Sequence, residues 1–242
     1  MSIPAFLEYI SLEKKCSQHT LKAYRSNLEA FEKFIVEQSA EDTLDGVSYG
    51  EIRAWIVSLI QSGNSPRTVN RKISVLRSYF KFLLRIGGIS VSPLKEHKAL
   101  KTDTKVQLPF FQEEIQRLFT ADFFPDDYTG TLQKTLIQLF YYTGIRRSEL
   151  IELKVQEVDF SAGLMKVLGK RNKERLLPLL PEIKMQLKQL LEMQKQCQIP
   201  RDSDCFFINN RGKKLHATFV YETVKTYLSK VSTKTKRSPH VL

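Results

Sequence analysis

The 242-residue sequence is poor in cysteine, in long apolar runs and, relative to its basic side chains, in acidic ones. Its three cysteines, Cys16, Cys197 and Cys205, are scattered, with no C-x-x-C pair and no histidine at zinc-binding spacing. We therefore expect reduced thiols and neither a metal nor another cofactor. Charged residues interrupt every apolar stretch, and the N-terminus lacks the basic start and apolar run of a signal peptide. These absences predict a cytoplasmic protein that does not enter a membrane.

The shortage of acidic residues leaves a strong positive charge. Lys and Arg number 38 against 26 Asp and Glu, which gives a net charge of +12. Residues 1–104 carry 15 basic and 11 acidic side chains, and residues 105–242 carry 23 and 15. A surplus spread over the whole chain favours an extended polyanion over a small acidic ligand. Since many ordinary proteins are basic, the charge alone does not decide the partner.

Apolar residues at helical spacing predict four helices within residues 1–90, which make a compact all-α domain. The fourth helix has the clearest signals, because Ser65 can cap it, Pro66 fits its first turn and Gly87 can end it. One face of this helix is apolar. The other face bears five cations, three small polar residues and no acid: Arg67, Asn70, Arg71, Ser74, Arg77, Ser78, Lys81 and Arg85.

Arginine, asparagine and lysine contact phosphates and base edges when a helix enters a major groove. The candidates for such DNA contacts are Arg67, Asn70, Arg71, Arg77 and Lys81. A solvated basic face is the alternative interpretation of the same pattern.

The helical pattern fades between residues 91 and 108, where four lysines fall among serine, proline and threonine. This composition predicts a basic linker. The second domain then spans residues 109–242, with helices predicted at 112–119, 131–143, 181–196 and 217–231. Extended stretches are predicted at 155–160, 164–168, 175–180 and 205–208. The expected fold is mainly helical with a small antiparallel sheet.

One turn of the second domain stands out. An apolar helix stops at Gly144 and another starts near Ser148, which leaves Arg146 between two packed helices. A guanidinium group is planar, permanently charged and able to donate two parallel hydrogen bonds to a phosphate. For an isolated Gly-x-Arg, the ordinary interpretation is a solvated arginine at a helix end.

Two further proton donors follow Arg146. Lys170 lies on the polar tip of a predicted hairpin, and His240 follows a proline near the end of the sequence. An arginine, a lysine and a histidine without a carboxylate pair suit phosphoryl transfer that uses no metal. Taken singly, such a lysine is usually only solvated and such a histidine is usually structural.

Four stretches resemble the tyrosine recombinases, also called the phage integrase family. Residues 142–150, YTGIRRSEL, resemble the family's first arginine motif, and residues 168–175, LGKRNKER, resemble its lysine hairpin. Residues 238–242, SPHVL, resemble the start of its His-x-x-Arg motif, and residues 65–71, SPRTVNR, resemble its N-terminal core-binding domain. The resemblance spans essentially the whole chain and points to the Xer type of cellular recombinase.

The resemblance implies a SAM-like four-helix core-binding domain and an integrase-like α+β catalytic domain that clamp duplex DNA. In the family a tyrosine attacks the scissile phosphate, which gives a 3′-phosphotyrosyl intermediate and needs neither ATP nor metal. Arg146 would stabilise charge on the phosphorane, Lys170 would protonate the departing 5′-oxygen and His240 would assist proton transfer. Glu149 would support Arg146.

The resemblance also implies partners for the chain. The family acts as a tetramer on two DNA duplexes, and we expect this chain to be a monomer without DNA. Arg171 stands where the family often has glycine, and together with Lys173 it is a candidate DNA contact on the hairpin.

The sequence departs from the family pattern at its end. Leu242 stands immediately before the position of the second motif arginine, and no tyrosine follows His240. We therefore assign no nucleophile, expect the catalytic domain to be C-terminally incomplete and expect this polypeptide not to cleave DNA. One alternative is a DNA-binding protein that occupies recombination sites without cutting, and another is a helical transcriptional regulator. Lys170 and His240 argue against the regulator, which has no use for them.

Overall fold

The computed structural model of the chain describes residues 3–38, 44–103, 109–169, 173–234 and 237–239. The chain divides into two compact units, Met1–Lys105 and Val106–Leu242. Each unit has its own hydrophobic core. No helix in the described ranges is long and apolar enough to cross a membrane.

The first unit is helical throughout its regular structure. Its elements are α1 (Ile3–Leu12), α2 (Gln18–Gln38), a 3-10 turn (Leu44–Gly46), α3 (Tyr49–Gln61) and α4 (Pro66–Arg85). Local chemistry sets where these helices begin. Ser48 and Glu51 form a reciprocal capping box at the start of α3, and the Ser65 hydroxyl accepts from the Thr68 N–H at the start of α4.

The face of α4 that was predicted to be apolar packs into the core of the first unit. The residues expected on it are all buried: Val69, Ile73, Leu76, Phe80 and Leu83. Aromatic pairs add to this core: Phe6 meets Tyr79 of α4 edge-on with ring centroids 5.4 Å apart, and Phe31 packs against Trp55 of α3 with ring centroids 4.8 Å apart. Because α4 fills the core with one face, its opposite face is left at the surface.

The structure differs from the expected linker in its first part. Leu94 is buried in the core of the first unit, and the Leu100 backbone is hydrogen-bonded to the Asn70 side chain. Residues 94–100 therefore pack onto the first unit, because apolar residues recur among the lysines. Residues 104–108 of the expected linker lie outside the described ranges.

The second unit combines helices with a small sheet. Its elements are α5 (Gln112–Thr120), α6 (Tyr128–Thr143), α7 (Arg147–Glu152), β1 (Val158–Asp159), β2 (Leu164–Leu168), β3 (Glu174–Pro178), α8 (Pro181–Gln196) and α9 (Ala217–Val231). The strands are antiparallel in the order β1-β2-β3, with Val167 of β2 opposite Arg175 of β3. An all-α unit followed by a mainly helical unit with a small antiparallel sheet confirms the predicted fold class.

Two predicted strands of the second unit were wrong in extent. Residues 155–160 begin as a 3-10 turn, Val155–Glu157, and only Val158–Asp159 pair in the sheet. The apolar run 205–208 makes isolated bridges at its two ends rather than a strand. All four of its side chains are buried, whereas a strand in a half-exposed sheet buries alternate residues. The run is therefore part of the buried core and not an edge strand of the sheet.

Candidate active site and nucleic-acid interface

Arg146 lies at the turn where the sequence placed it. Helix α6 ends at Thr143, and Gly144 adopts the left-handed conformation (φ 59°, ψ 25°) that glycine favours. Its N–H donates to the Phe140 carbonyl at 3.1 Å. Ile145 is buried and Arg146 occupies the N-cap of α7. A glycine stop followed by a buried isoleucine thus fixes the backbone that carries Arg146.

The side chain of Arg146 is held by Glu149, which is only 2% exposed. One carboxylate oxygen accepts from Arg146 Nη1 at 2.7 Å, and the other accepts from the Arg146 backbone N–H at 2.9 Å. The guanidinium of Arg175 donates to the same two oxygens at 3.0 and 2.8 Å. With four donors on its two oxygens, the carboxylate orients the arginines and has little capacity left for other chemistry. This arrangement suits the supporting role expected of Glu149.

Arg175 is a residue of this site that the sequence analysis missed. It lies 26 residues after Glu149, on β3, and forms a bidentate pair with it. Strand alternation carried a usable signal, since Arg175 and Leu177 face inward and are half-buried while their neighbours are exposed. An inward arginine on a strand requires a carboxylate partner.

The hairpin that carries Lys170 starts against this carboxylate. Gly169 donates its N–H to the Lys173 carbonyl at 2.8 Å, which closes the hairpin. A Cβ on Gly169 would lie 3.5 Å from Glu149 Oε1. Lys173 is exposed, whereas Lys170 and Arg171 lie outside the described residues. The structure therefore brings Arg146 together with the stem of the lysine hairpin.

His240 also lies outside the described residues, but the segment before it is anchored. Lys234 Nζ donates to the Pro109 carbonyl at 2.6 Å and to Glu114 Oε2 at 3.0 Å, and lies 4.3 Å from the Phe111 ring centroid. Partial burial opposes ionisation of Glu114, yet hydrogen bonds from Ser232, the Phe111 N–H and Lys234 lower its pKa. The chain leaving α9 is thus tied to the start of the unit.

The predicted basic face of α4 forms the second cationic site. Arg67, Arg71 and Lys81 are exposed, and within the described ranges none of them meets a carboxylate. Arg85 is different, because it donates to the Tyr9 hydroxyl at 2.9 Å and lies 3.6 Å from Glu13. Unpaired cations on an exposed helix face are the arrangement that binds phosphates through charge.

Two of the predicted DNA contacts on α4 already have partners in the protein. The Asn70 amide exchanges two hydrogen bonds with the Leu100 backbone. Arg77 Nη2 donates to the His97 carbonyl at 3.3 Å but remains exposed. The structure therefore leaves Arg67, Arg71 and Lys81 as the candidates with free polar groups.

Comparison with protein families matches both units. Residues 3–87 match the phage integrase N-terminal SAM-like domain, and residues 110–242 match the phage integrase family.

A curated relative is similar over nearly the whole chain. The tyrosine recombinase XerC of Thermodesulfovibrio yellowstonii is 35% identical over 246 residues, a match that covers 99% of this chain and 79% of that protein.

Solved structures share the fold. The Tn1549 transposon integrase in complex with transposon right-end DNA superposes with a TM-score of 0.76 at 19% identity, covering 100% of this chain and 84% of that one. A lambda integrase tetramer bound to a Holliday junction gives a TM-score of 0.67 at 17% identity, covering 98% and 64%. At these identities the likeness shows the fold alone.

Proposed function

The chain belongs to the phage integrase family, the tyrosine recombinases, which are enzymes, and we propose that it carries out site-specific recombination of duplex DNA. The reaction would cleave and rejoin strands through a 3′-phosphotyrosyl intermediate. Since the phosphodiester energy is kept in that covalent bond, rejoining needs no ATP.

The observation that carries the proposal is the buried Glu149 carboxylate, which holds Arg146 beside the stem of the lysine hairpin. About half of the Arg146 side chain remains exposed, so most of its N–H donors stay open to a phosphate. An arginine that is fixed before the substrate arrives stabilises developing charge without reorganisation. Arg146 would bind the non-bridging oxygens, Lys170 would protonate the 5′-oxygen and His240 would assist proton transfer.

A transition-state analogue tests the role of Arg146. A preferred duplex is first selected from a random-sequence pool and is then nicked to leave 3′- and 5′-hydroxyls. Orthovanadate can bridge these ends as a pentacoordinate oxyanion, which should bind more tightly than the nicked duplex alone. We expect vanadate to raise affinity in the wild type and much less in Arg146→Ala. An equal effect in both proteins would contradict the assigned role.

The nucleophile is a separate question. That the 242-residue polypeptide does not cleave DNA stays a prediction. The test incubates the 242-residue polypeptide with a nicked suicide form of the selected duplex and looks for a covalent adduct on a denaturing gel. A stable adduct would overturn the prediction and identify the attacking residue by peptide mapping.

The proposed partner is duplex DNA, bound through the basic face of α4. Arg71→Ala should weaken duplex affinity and reduce the salt dependence of binding by about one unit of slope. Arg53→Ala is the matched control, because it removes an equal charge from an exposed position on α3. Equal losses in the two variants would mean that only net charge matters, and unchanged binding in Arg71→Ala would refute the helix-face interface.

Assembly with other protomers is also proposed. Tetramers on two duplexes would bring two cleavage sites together for exchange, whereas the chain without DNA is expected to be a monomer. Light scattering coupled to size-exclusion chromatography tests both parts on one sample, before and after adding the selected duplex. Oligomers in the absence of DNA would contradict the monomer expectation.

A further inference from the structure

The amide of Asn70 is committed to the protein's own backbone. Its Nδ2 donates to the Leu100 carbonyl at 2.9 Å, and its Oδ1 accepts from the Leu100 N–H at 2.9 Å. We call this reciprocal pair the Asn70–Leu100 clasp. An asparagine that reads adenine uses the same donor and acceptor together. While the clasp is closed, Asn70 therefore has no such pair to offer to a base.

The clasp holds a segment alongside α4. The His97 carbonyl accepts from Arg77, seven residues after Asn70, and Leu100 binds Asn70 itself. The segment therefore runs antiparallel to α4 along the edge of its basic face. Leu94 is buried in the core and His97 is half-buried, so this stretch is anchored at three points.

The anchored segment alternates with a period of three. Its inward residues are Leu94, His97 and Leu100, and its exposed residues are Lys95, Glu96, Lys98, Ala99 and Lys101, which are net positive because three lysines stand against one glutamate. We call the three exposed lysines the lysine ridge. The segment that carries them is hydrogen-bonded to α4, the helix that bears Arg67 and Arg71. Leu100, which Asn70 holds, stands between Lys98 and Lys101 in the sequence.

We propose that Asn70 is a positioning residue for DNA binding, which acts through the lysine ridge and does not read a base. By holding Leu100, it fixes Lys98 and Lys101 beside the basic face of α4, so that helix and ridge bind phosphates of one duplex together. Cations fixed on a folded segment lose less conformational entropy on binding than the same cations on a free linker. The proposal rests on the proposed function, since it concerns the same DNA interface.

Hydrogen exchange tests the clasp without DNA. In Asn70→Ala the Leu100 N–H loses its acceptor, so its exchange should accelerate while the amides of α4 retain their protection. Asn210→Ala is the matched control, because Asn210 is an exposed asparagine in the other unit. Unchanged exchange at Leu100 in Asn70→Ala would show that the clasp does not hold the segment.

A double-mutant cycle tests the link to DNA. Binding of the full chain to a labelled mixed-sequence duplex is measured over a range of salt for Asn70→Ala, for the Lys98→Ala/Lys101→Ala pair and for all three changes together. The lysine pair should reduce the salt slope by about two units. Asn70→Ala should also reduce the slope, and should add nothing once both lysines are absent. A full additional loss on the lysine-free background would assign Asn70 a DNA contact of its own and overturn the proposal.

The variant Arg71→Ala, which removes a cation of α4, distinguishes failure of the lysine ridge from failure of the helix-face interface. If Arg71→Ala weakens binding while the lysine pair and Asn70→Ala do not, the ridge is wrong and the helix-face interface stands. If the wild type does not bind duplex DNA, both the interface and the ridge fail. The lysine pair changes only exposed side chains, so it tests the ridge even if Asn70→Ala lowers stability.

Discussion

The two cationic sites of this protein hold their arginines in opposite ways. On α4, Arg67 and Arg71 are exposed and meet no carboxylate within the described residues. In the second unit, Arg146 and Arg175 share the nearly inaccessible carboxylate of Glu149. Exposed cations attract a polyanion according to their number and tolerate changes of geometry. A guanidinium fixed by a buried partner gives up that tolerance for a defined position, as charge stabilisation in a transition state requires.

The largest expected effect comes from removing the charge that fixes the second site. Glu149→Gln replaces a carboxylate that accepts four hydrogen bonds by an amide, which directs an N–H group at arginine donors. We expect the free energy of unfolding of the second unit to fall by about 2–3 kcal/mol. Unfolding in urea is followed by circular dichroism for both units. Fluorescence of Trp55, the single tryptophan and part of the first core, reports the first unit.

Glu152→Gln is the control on the same helix. Glu152 binds Lys214, but its side chain is 66% exposed, so that its loss should cost less than about 0.5 kcal/mol. Because Glu149 lies in the second unit and Trp55 in the first, Glu149→Gln should shift the circular dichroism transition and leave the Trp55 transition in place. Equal stability of the two variants would mean that burial of Glu149 does not matter.

A smaller effect is expected from the turn that carries Arg146. Gly144→Ala places a Cβ in free space but forces alanine into the left-handed conformation at φ 59°. The backbone alone should cost the second unit about 1–2 kcal/mol, measured by the same urea unfolding. Gly88→Ala is the control, since Gly88 has no positive φ and an added Cβ would meet neighbours at 3.6 Å. A similar loss in the first unit from Gly88→Ala would mean that the left-handed conformation of Gly144 is not the cause, since alanine by itself restricts the unfolded chain and stabilises the fold.

The features of both sites that were predictable from sequence are those set by neighbours along the chain. Ser65 and Pro66 fixed the start of α4, its apolar face followed from periodicity, and Gly144 marked the stop before Arg146. The missed features join distant residues. Arg175 meets Glu149 across 26 positions, and Leu100 meets Asn70 across 30. Local patterns can mark Arg175 and Leu100 as inward-facing, but they do not identify the partner, because a side-chain hydrogen bond depends on which elements the fold places side by side.

Asn70 has two possible roles that composition does not separate. Asn70 stands among arginines and serines on an exposed face of α4. An asparagine in that position can contact a DNA base or the protein's own backbone. The apolar residues Leu94 and Leu100 indicate that the segment after α4 packs back onto the first unit. The four lysines of the same segment are typical of a solvated linker. Residue type alone could not decide between the two roles.

Exchange of arginine for lysine separates the two sites by geometry, since it keeps the charge. Arg71→Lys should leave duplex affinity and its salt slope nearly unchanged, because a phosphate accepts a point charge. Arg146→Lys loses the Nη1 hydrogen bond to Glu149 and the planar donor set that suits a phosphate, and should cost the second unit about 0.5–1 kcal/mol, with loss of the vanadate effect. If Arg146→Lys retained the full vanadate effect, the site would need only charge, as α4 does.

The smallest expected effect is a difference in how the units respond to acid. Burial, reinforced by the charge of Arg77, lowers the pKa of His97 below its ordinary value of 6.5. Tyr49 also faces the ring, with its hydroxyl 3.3 Å from Nδ1, and Nε2 is buried with no partner among the described residues. The fold therefore favours the neutral ring. The free energy of unfolding of the first unit, which contains His97, should fall as the pH falls below 6.5 toward the lowered pKa.

The second unit should respond only at lower pH. Hydrogen bonds that outweigh burial lower the pKa of Glu114 from its ordinary value of 4.5, so that its stabilisation is complete above 4.5 and disappears as the pH falls through the lowered value. Between pH 7.5 and 5.5, about the window in which histidine titrates, the Trp55 transition should move to lower urea. Replacing His97 with glutamine should abolish that movement, whereas the same change at the exposed His19 should not. A movement that survives His97→Gln would assign the acid sensitivity of the first unit to another group.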